Sequence, residues 1–560
     1  MSVGEILLER GKIKPEHLQA ALAAKKSSNE RIDRILVRMG LVDEKDVLEI
    51  WGEQMSIDVI DLSQVQIDPE LFKLMPQRLI HKKGLLPVDR VNGTLRVASA
   101  DPYDISAFDE LRMVTGLRIE PVLASESEIQ RLIRQHFGVG SSTVDEMTEE
   151  ESDSGSVELL SDSVDENGDP IELAQEATVV KLVNEILQEA LRDKASDIHI
   201  EPYEDDLKIR YRIDGVLQQT PVPPQIRRFQ AAIISRIKIM SNLNIAEKRL
   251  PQDGGFKARI HGREVDFRVS VIPTGFGEAV VLRILDRQSI NLSLQQLGMD
   301  NEVLENFQAL INRPHGIVLV TGPTGSGKTT TLYAALHTIV SDEIKILTIE
   351  DPIEYYLPGI NQVQVSEKIG LDFARALRAF LRHDPDVILV GEIRDRETAE
   401  VAINASLTGH LVFSTLHTND SCTANTRLLD MGVEPFLVSS SLDGVLAQRL
   451  VRKICPHCKE AYEPDLAALP KDLVLEPGQL LYRGRGCREC RNIGYRGRLG
   501  IFELLMIDDE LREMIVQRAS AGRIQQVALK HGLKLLREDG WGKVRAGLTT
   551  PEEVLRATKV

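Results

Sequence analysis

Residues Gly322-Pro323-Thr324-Gly325-Ser326-Gly327-Lys328-Thr329 carry the spacing G-x-x-x-x-G-K-[ST]. An apolar run, residues 316–321, precedes them and reads as a buried strand, while the stretch from Thr330 to His337 reads as the start of a helix. Strand, loop and helix in that order make a cradle for a nucleotide phosphate. The glycines let the backbone wrap the phosphates, so that N–H groups point inward at the positive end of the helix. Lys328 would reach the β- and γ-phosphates, and Thr329 would hold Mg2+. The chain is therefore expected to bind ATP or GTP.

Hydrolysis needs a carboxylate beside that cradle. Residues 386–392 run from Asp386 through four aliphatic residues to Gly391 and Glu392, a buried-strand pattern that closes on an acid. Such a strand is expected to lie beside the one feeding the phosphate loop, with Glu392 placed to orient or activate the attacking water. Arg394 and Asp395 follow it. Residues 346–354 form a second strand pattern, ending in Glu350, Asp351 and Glu354. Three carboxylates cannot all be buried unpaired, so these are expected to face a cation, water or solvent.

Cys455, Cys458, Cys487 and Cys490 make two C-x-x-C pairs with 28 residues between them. That spacing suits a tetrahedral Zn2+, and four thiolates leave no open position, so the ion would be structural. His457 could compete as a ligand, but the second pair makes it unnecessary. Cys422 reads as a buried small apolar residue.

The elements that must position these groups follow from the rest of the chain. At 560 residues the length predicts three to four domains, and 42% apolar with 27% charged residues is the composition of a globular protein. No apolar run approaches the length of a membrane span, and Glu5, Glu9 and Arg10 do not suit a secretory leader, so a cytosolic protein is expected. The net charge is −17, and residues 139–169 alone hold eleven acidic residues and no Lys or Arg. A nucleic-acid motor advertises a basic face instead.

Residues 1–62 read as helical with an internal repeat: Gly4-x-Ile6-Leu7-Leu8 to Gly11 recurs 29 residues later as Asp33-x-Ile35-Leu36-Val37 to Gly40. Residues 66–138 alternate strands and helices, completing an N-terminal domain over 1–138. Residues 139–172 are an acidic, Ser-rich linker that cannot bury enough surface to order itself. A middle α/β domain is expected over 173–288, the nucleotide domain on a mostly parallel sheet over 289–450, a cysteine subdomain over 451–500 and a mainly helical end over 501–560.

Four segments in order, residues 322–329, 350–354, 386–392 and 408–420 (Thr408-Gly409-His410 through His417-Thr418-Asn419-Asp420), resemble the Walker A, Asp box, Walker B and His box of the secretion ATPase superfamily. The tetracysteine insert narrows the resemblance to the type II secretion ATPases and type IV pilus assembly ATPases. Residues 195–202, 209–215 and 247–254 resemble the middle domain of the same proteins.

The resemblance implies a multidomain α/β chain with a RecA-like core, a PAS-like middle domain and a zinc insert. It implies a homohexamer binding ATP between subunits, with Glu392 as the catalytic carboxylate and Glu350 and Glu354 near Mg2+ and the attacking water. His410 and His417 would couple nucleotide to subunit contacts; each alone reads as a core or strand-end residue. Middle-domain arginines would reach a neighbour's phosphates, with Arg210 and Arg227 the candidates, although spacing does not choose among Arg210, Arg212, Arg227 and Arg228. The implied function is a motor for assembling pilin-like subunits on an inner-membrane platform, in type II secretion or alternatively in pilus extension. A nucleic-acid-dependent motor is the rival from another class. Residues 1–62 resemble a module that binds cyclic di-GMP in some relatives, but Ser2, Lys25 and Asp33 depart from its pattern while Arg31 and Gln54 keep it. An aspartate beside a diphosphate repels it, so partner docking is expected instead. Gly255 stands where relatives usually carry an arginine.

Overall fold

The structure is a computed structural model. It describes residues 3–25, 31–62, 65, 67–91, 93–139, 141, 143, 177–260, 262–286 and 293–559, so the expected acidic linker lies almost wholly outside the described residues. The chain forms two compact units, residues 1–260 with 266–284, and residues 261–265 with 285–560.

In the first unit the sequence repeat becomes a structural one. Helices Val3–Glu9 and Pro15–Lys25 are followed by Ile32–Arg38 and Glu44–Met55. Gly11 and Gly40 turn the chain at equivalent points with φ of +69° and +67°, a conformation in which a Cβ is strained. Leu7 from the first copy and Ile35, Leu36, Val47 and Trp51 from the second share one core. Strands β1 (Leu86–Val91), β2 (Thr94–Ser99) and β3 (Arg118–Leu123) form a small sheet, with helix Ile105–Thr115 crossing from β2 to its parallel neighbour β3.

Helix Ala177–Arg192 then leads into a six-stranded sheet ordered β6-β5-β4-β9-β8-β7. Its strands are β4 (Asp197–Pro202), β5 (Leu207–Ile213), β6 (Val216–Thr220), β7 (Gln252–Ile260), β8 (Arg263–Thr274) and β9 (Gly277–Asp286). Asp214 and Gly215 both take positive φ, which suits the tight hairpin between β5 and β6. The buried Tyr211 hydroxyl donates to the Ile186 carbonyl at 3.0 Å, pinning helix to sheet.

The second unit is built on a seven-stranded sheet ordered β12-β11-β13-β14-β10-β15-β18. These strands are β10 (Gly316–Thr321), β11 (Ile346–Glu350), β12 (Asn361–Gln364), β13 (Val387–Val390), β14 (Leu411–Leu416), β15 (Leu442–Ile454) and β18 (Tyr495–Met506). All pair in parallel except β18, which runs antiparallel to β15. Strands β10, β13 and β14 are buried at every position, as a sheet covered on both faces requires. Alternation sends Ile317 and Leu319 of β10 into one core and Val318 and Val320 into the other.

Two expectations differ here. The strand ending in Glu392 does not adjoin β10, because β14 is inserted between them. The boundaries expected at 450 and 500 fall inside β15 and β18, whose pairing runs from Gly444↔Met506 to Ile454↔Tyr495. The cysteines therefore sit at the tip of a ribbon that belongs to the core sheet, with the short hairpin β16 (Lys459–Tyr462) and β17 (Leu481–Gly484) between the pairs.

A buried carboxylate ties this ribbon to the C-terminal helix Pro551–Thr558. Glu553 accepts from Arg452 Nη2 at 2.6 Å, from the Arg452 backbone N–H at 3.1 Å and from Arg556 Nη2 at 2.8 Å. Burial alone would raise its pKa, but the Arg452 and Arg556 bonds outweigh burial and hold it at about 2. A carboxyl depressed in the fold contributes stability above its unfolded pKa, and loses it as pH falls through the folded value. We expect urea unfolding of this unit to lose about 3 kcal/mol from this group between roughly pH 5 and pH 2, and Glu553→Gln to flatten that acid limb. An unchanged acid limb in the variant would show that other carboxylates control it.

Candidate functional site

The phosphate loop leaves β10 at Thr321 and re-enters helix at Lys328, the first residue of Lys328–Ile339. Gly325 and Gly327 hold φ of +79° and +90°. A Cβ on Gly322 would lie 2.5 Å from Ser326 Oγ and 2.6 Å from the Gln448 carbonyl oxygen, so the turn closes only on glycine. Lys328 is buried and donates to the Gly322 and Pro323 carbonyls at 2.8 and 3.1 Å. Burial lowers its pKa, with the neighbouring Glu392 charge acting in the opposite sense. The Ser326 hydroxyl is buried without a hydrogen-bond partner among the described residues, and Thr329 is exposed on the first helical turn. An orphaned donor, a lysine satisfied only by loop carbonyls and a helix N-terminus together fit a polyphosphate.

Glu392 follows the C-terminal end of β13, and His417 follows the C-terminal end of β14. His417 Nε2 lies 2.9 Å from Glu392 Oε2, and Arg394 Nε donates to Oε1 at 2.5 Å. Burial pushes the Glu392 pKa up, but the bonds from Arg394 and His417 overturn this and hold it below the usual carboxylate range. Arg394 also lies 3.3 Å from Asp351. The phosphate loop, Glu392 and His417 thus gather where the parallel strands end, the usual ligand edge of an open α/β sheet.

The acidic residues that end β11 lie at the same sheet edge, whereas His410 does not. Glu350, the last residue of β11, is only 4% exposed. Its carboxylate accepts from the Tyr333 hydroxyl, from Thr348 Oγ1 at 2.6 Å and from Gln362 Nε2 at 3.1 Å. The expectation that it faces a cation, water or solvent is therefore corrected: β11 is flanked by β12 and β13, and Tyr333 of the phosphate-loop helix closes over its end. Burial, followed by the Glu350 charge, raises the Tyr333 pKa. Asp351 is exposed and Glu354 half-buried. His410 precedes β14 while His417 follows it, and at about 3.3 Å per residue they stand roughly 20 Å apart. His410 Nδ1 is 2.8 Å from the Ala405 carbonyl oxygen, at the opposite end of the strand from Glu392.

Arg210 and Arg227 belong to the first unit. Arg210 forms a two-pronged pair with Glu201, at 2.7 and 2.8 Å, whereas the exposed Arg227 lies 3.7 Å from Asp205. Arg31 is likewise engaged, 3.2 Å from the buried Asp33, 3.1 Å from Asp101 and stacked 4.0 Å over the Tyr103 ring. A Cβ on Gly255 would already lie 2.6 Å from the Phe267 carbonyl oxygen, so no arginine fits there unless the backbone shifts.

The four cysteine sulfurs converge. Cys455 and Cys487 Sγ are 3.8 Å apart, as are those of Cys458 and Cys490, and Cys487 and Cys490 are 3.7 Å apart. A tetrahedral zinc with Zn–S bonds of about 2.3 Å spaces its sulfurs by about 3.8 Å. The Cys490 sulfur also accepts N–H bonds from Cys487 and Gly494, each at 3.2 Å, which favours the thiolate a metal requires. His457 is not in the cluster, and Cys422 is buried apart from it with its thiol pushed up to about 12 by burial.

Gln448 and Tyr333 press on this site without having been predicted. A polar residue following Val445-Leu446-Ala447 in a buried strand was the available signal for Gln448, since a buried amide demands partners.

Residues 172–556 match the family model described as type II/IV secretion system protein, and residues 55–143 match the MshEN domain. The chain is 43% identical to the type IV pilus assembly ATPase PilB of Myxococcus xanthus, covering 99% of this chain and 98% of that protein. It is 45% identical to the type II secretion system protein E of Xanthomonas campestris pv. campestris, over the same 99% and 98%. The Yersinia pseudotuberculosis ATPase DotB shares the fold, with a TM-score of 0.50 at 20% identity over 72% of this chain and 99% of that one. Together with the geometry of the phosphate loop, these matches place the chain in the type II/IV secretion ATPase family, ATP hydrolases that work with Mg2+.

Proposed function

We propose that this chain is the ATPase motor of a type II secretion system, a homohexamer that drives assembly of pilin-like subunits. The observation that carries the reading is the meeting of Lys328, Glu392 and His417 at one sheet edge. Lys328 trades its loop carbonyls for the β- and γ-phosphates. Glu392, kept ionised by Arg394 and His417, orients the attacking water and takes its proton as its bond to the γ-phosphorus forms and the bond from that phosphorus to the β,γ-bridging oxygen breaks, releasing ADP. Thr329 would hold Mg2+, which would neutralise phosphate charge when bound. Glu350 supports the helix behind the loop, and Glu354 is the acidic-box residue proposed to act near the metal or water. Among the arginines proposed to act on a neighbouring subunit's phosphates, Arg227 needs only to leave a loose surface pair, whereas Arg210 must first break a two-pronged one.

The four cysteines hold a structural Zn2+. No described helix is long and apolar enough to cross a membrane, and attachment to an inner-membrane platform runs through partner proteins. The N-terminal domain is proposed to dock such a partner rather than to bind cyclic di-GMP, because Asp33 would repel a diphosphate placed beside it. The second reading is a pilus assembly motor, which near-equal identity to relatives of both names keeps in view.

The test is an affinity pull-down of tagged Glu392→Gln protein from its own cells with ATP present. Co-recovery of a platform protein with secretion pseudopilins supports the proposal. Recovery of pilin-assembly components instead moves it to pilus extension, and recovery of nucleic-acid enzymes overturns both.

A further inference from the structure

We infer that Gln448 is a positioning residue for ATP binding, gripping the phosphate loop at both ends and setting the rotation of the helix that carries Lys328 and Thr329. The inference rests on ATP occupying residues 322–329. Strand β15 pairs with β10 in the register Val320↔Leu446 and Thr321↔Ala447, so Gln448 stands one residue beyond the end of β10, alongside the first loop glycine. Its side chain is 2% exposed. Thr331, fully buried one turn into the helix, donates its hydroxyl to Gln448 Oε1 at 2.6 Å.

The same residue walls the loop. Its carbonyl oxygen lies 2.6 Å from where a Cβ on Gly322 would be, and its Nε2 lies 2.8 Å from where a Cβ on Gly327 would be. Both glycines are thus shaped against one residue of a strand 117 positions from the hydroxyl it binds. Rotating the helix about its axis would break the Thr331 bond and swing Lys328 and Thr329, which precede it by less than one turn. Gln448 therefore acts through the loop rather than on the phosphates.

The experiment measures equilibrium binding of a fluorescent ATP analogue to the full chain carrying Gln448→Ala, Thr331→Val, Thr331→Ser, the double variant Gln448→Ala with Thr331→Val, and Lys328→Ala. Thr331→Val keeps the side-chain shape and loses only the donor, so it remains informative if Gln448→Ala fails to fold. We expect Gln448→Ala and Thr331→Val each to raise Kd by about tenfold, the effect of losing one well-formed buried hydrogen bond from the competent state. The double variant should be no weaker than either single one, because both break the same contact, and Thr331→Ser should bind as the parent does. Parent-like Kd for Thr331→Val while Lys328→Ala loses binding overturns the role of Gln448. Full additivity of the two substitutions does the same. Parent-like binding by Lys328→Ala overturns the underlying assignment of the ATP site.

Discussion

Glu392→Gln should keep ATP binding and lower turnover by about a thousandfold, the range expected when a positioned proton acceptor is removed. The substitution preserves shape and one acceptor oxygen, so Arg394 and His417 retain a partner. What it removes is charge. In the parent, those two groups outweigh burial and hold Glu392 ionised, the state needed to attract and deprotonate water. A depressed pKa weakens its basicity, so orientation of the water carries much of the effect and the variant should trap bound nucleotide. Loss of the anion also removes a nearby attraction that keeps Lys328 charged, yet the phosphates of bound ATP replace it. Steady-state phosphate release alongside binding of a fluorescent ATP analogue separates the two steps. Turnover within threefold of the parent would sink the catalytic assignment, and loss of binding would recast Glu392 as a structural part of the cradle.

How much of this was legible in the sequence follows from how local each feature is. The phosphate loop was, because its glycines, lysine and flanking strand and helix are contiguous and their physics needs nothing else. The four cysteines were, because two knuckles with paired spacing have few other uses. The insertion of β14 between β10 and β13 was not, since strand order in a parallel sheet depends on which crossover packs where, and every strand concerned is the same short aliphatic run. Burial of Glu350 depended on Tyr333 and Gln362, residues 17 and 12 positions away that carry no motif. His410 is different. Its separation from His417 could have been read directly, because residues 411–416, mostly aliphatic, aromatic or β-branched, are long enough for one strand, and a strand puts the residues before and after it at opposite ends. The family resemblance gives both histidines a role in coupling nucleotide to subunit contacts, and strand geometry places that role at two different ends of β14.

The two cysteine knuckles have little else to hold them, although the segment between them packs Leu473 and Leu481 on Trp541, Val544 and Val554 of the C-terminal helices, so metal removal should cost most stability at the knuckles themselves. Their core consists of Cys455, Cys458 and Cys490 packed with Cys487 and Ile493, far too little apolar surface to fold a hairpin tip unaided. The backbone there is crossed tightly: Cys455 N–H donates to the Gly494 carbonyl at 2.9 Å, and a Cβ on Gly484 would lie 2.0 Å from that same oxygen. Four thiolates around one Zn2+ leave a net negative site, and six arginines lie between positions 483 and 498, two of them already paired with Glu460 and Glu489. A local excess of positive charge makes a fully ionised cluster more tolerable. Structural zinc contributes on the order of 10 kcal/mol to small sites of this kind, so its loss should release the tip. We therefore expect about one zinc per chain by elemental mass spectrometry in protein purified without chelator. Cys458→Ser with Cys490→Ser should abolish the metal, open the knuckles at 455–458 and 487–494 to protease and lower the melting temperature. ATP binding should survive in part, because Gln448 stands seven residues before Cys455, about 23 Å along an extended strand, and β15 stays paired with β10 without the tip. Metal-free protein with an unchanged melting temperature and an uncut tip would mean that the sulfurs converge for another reason.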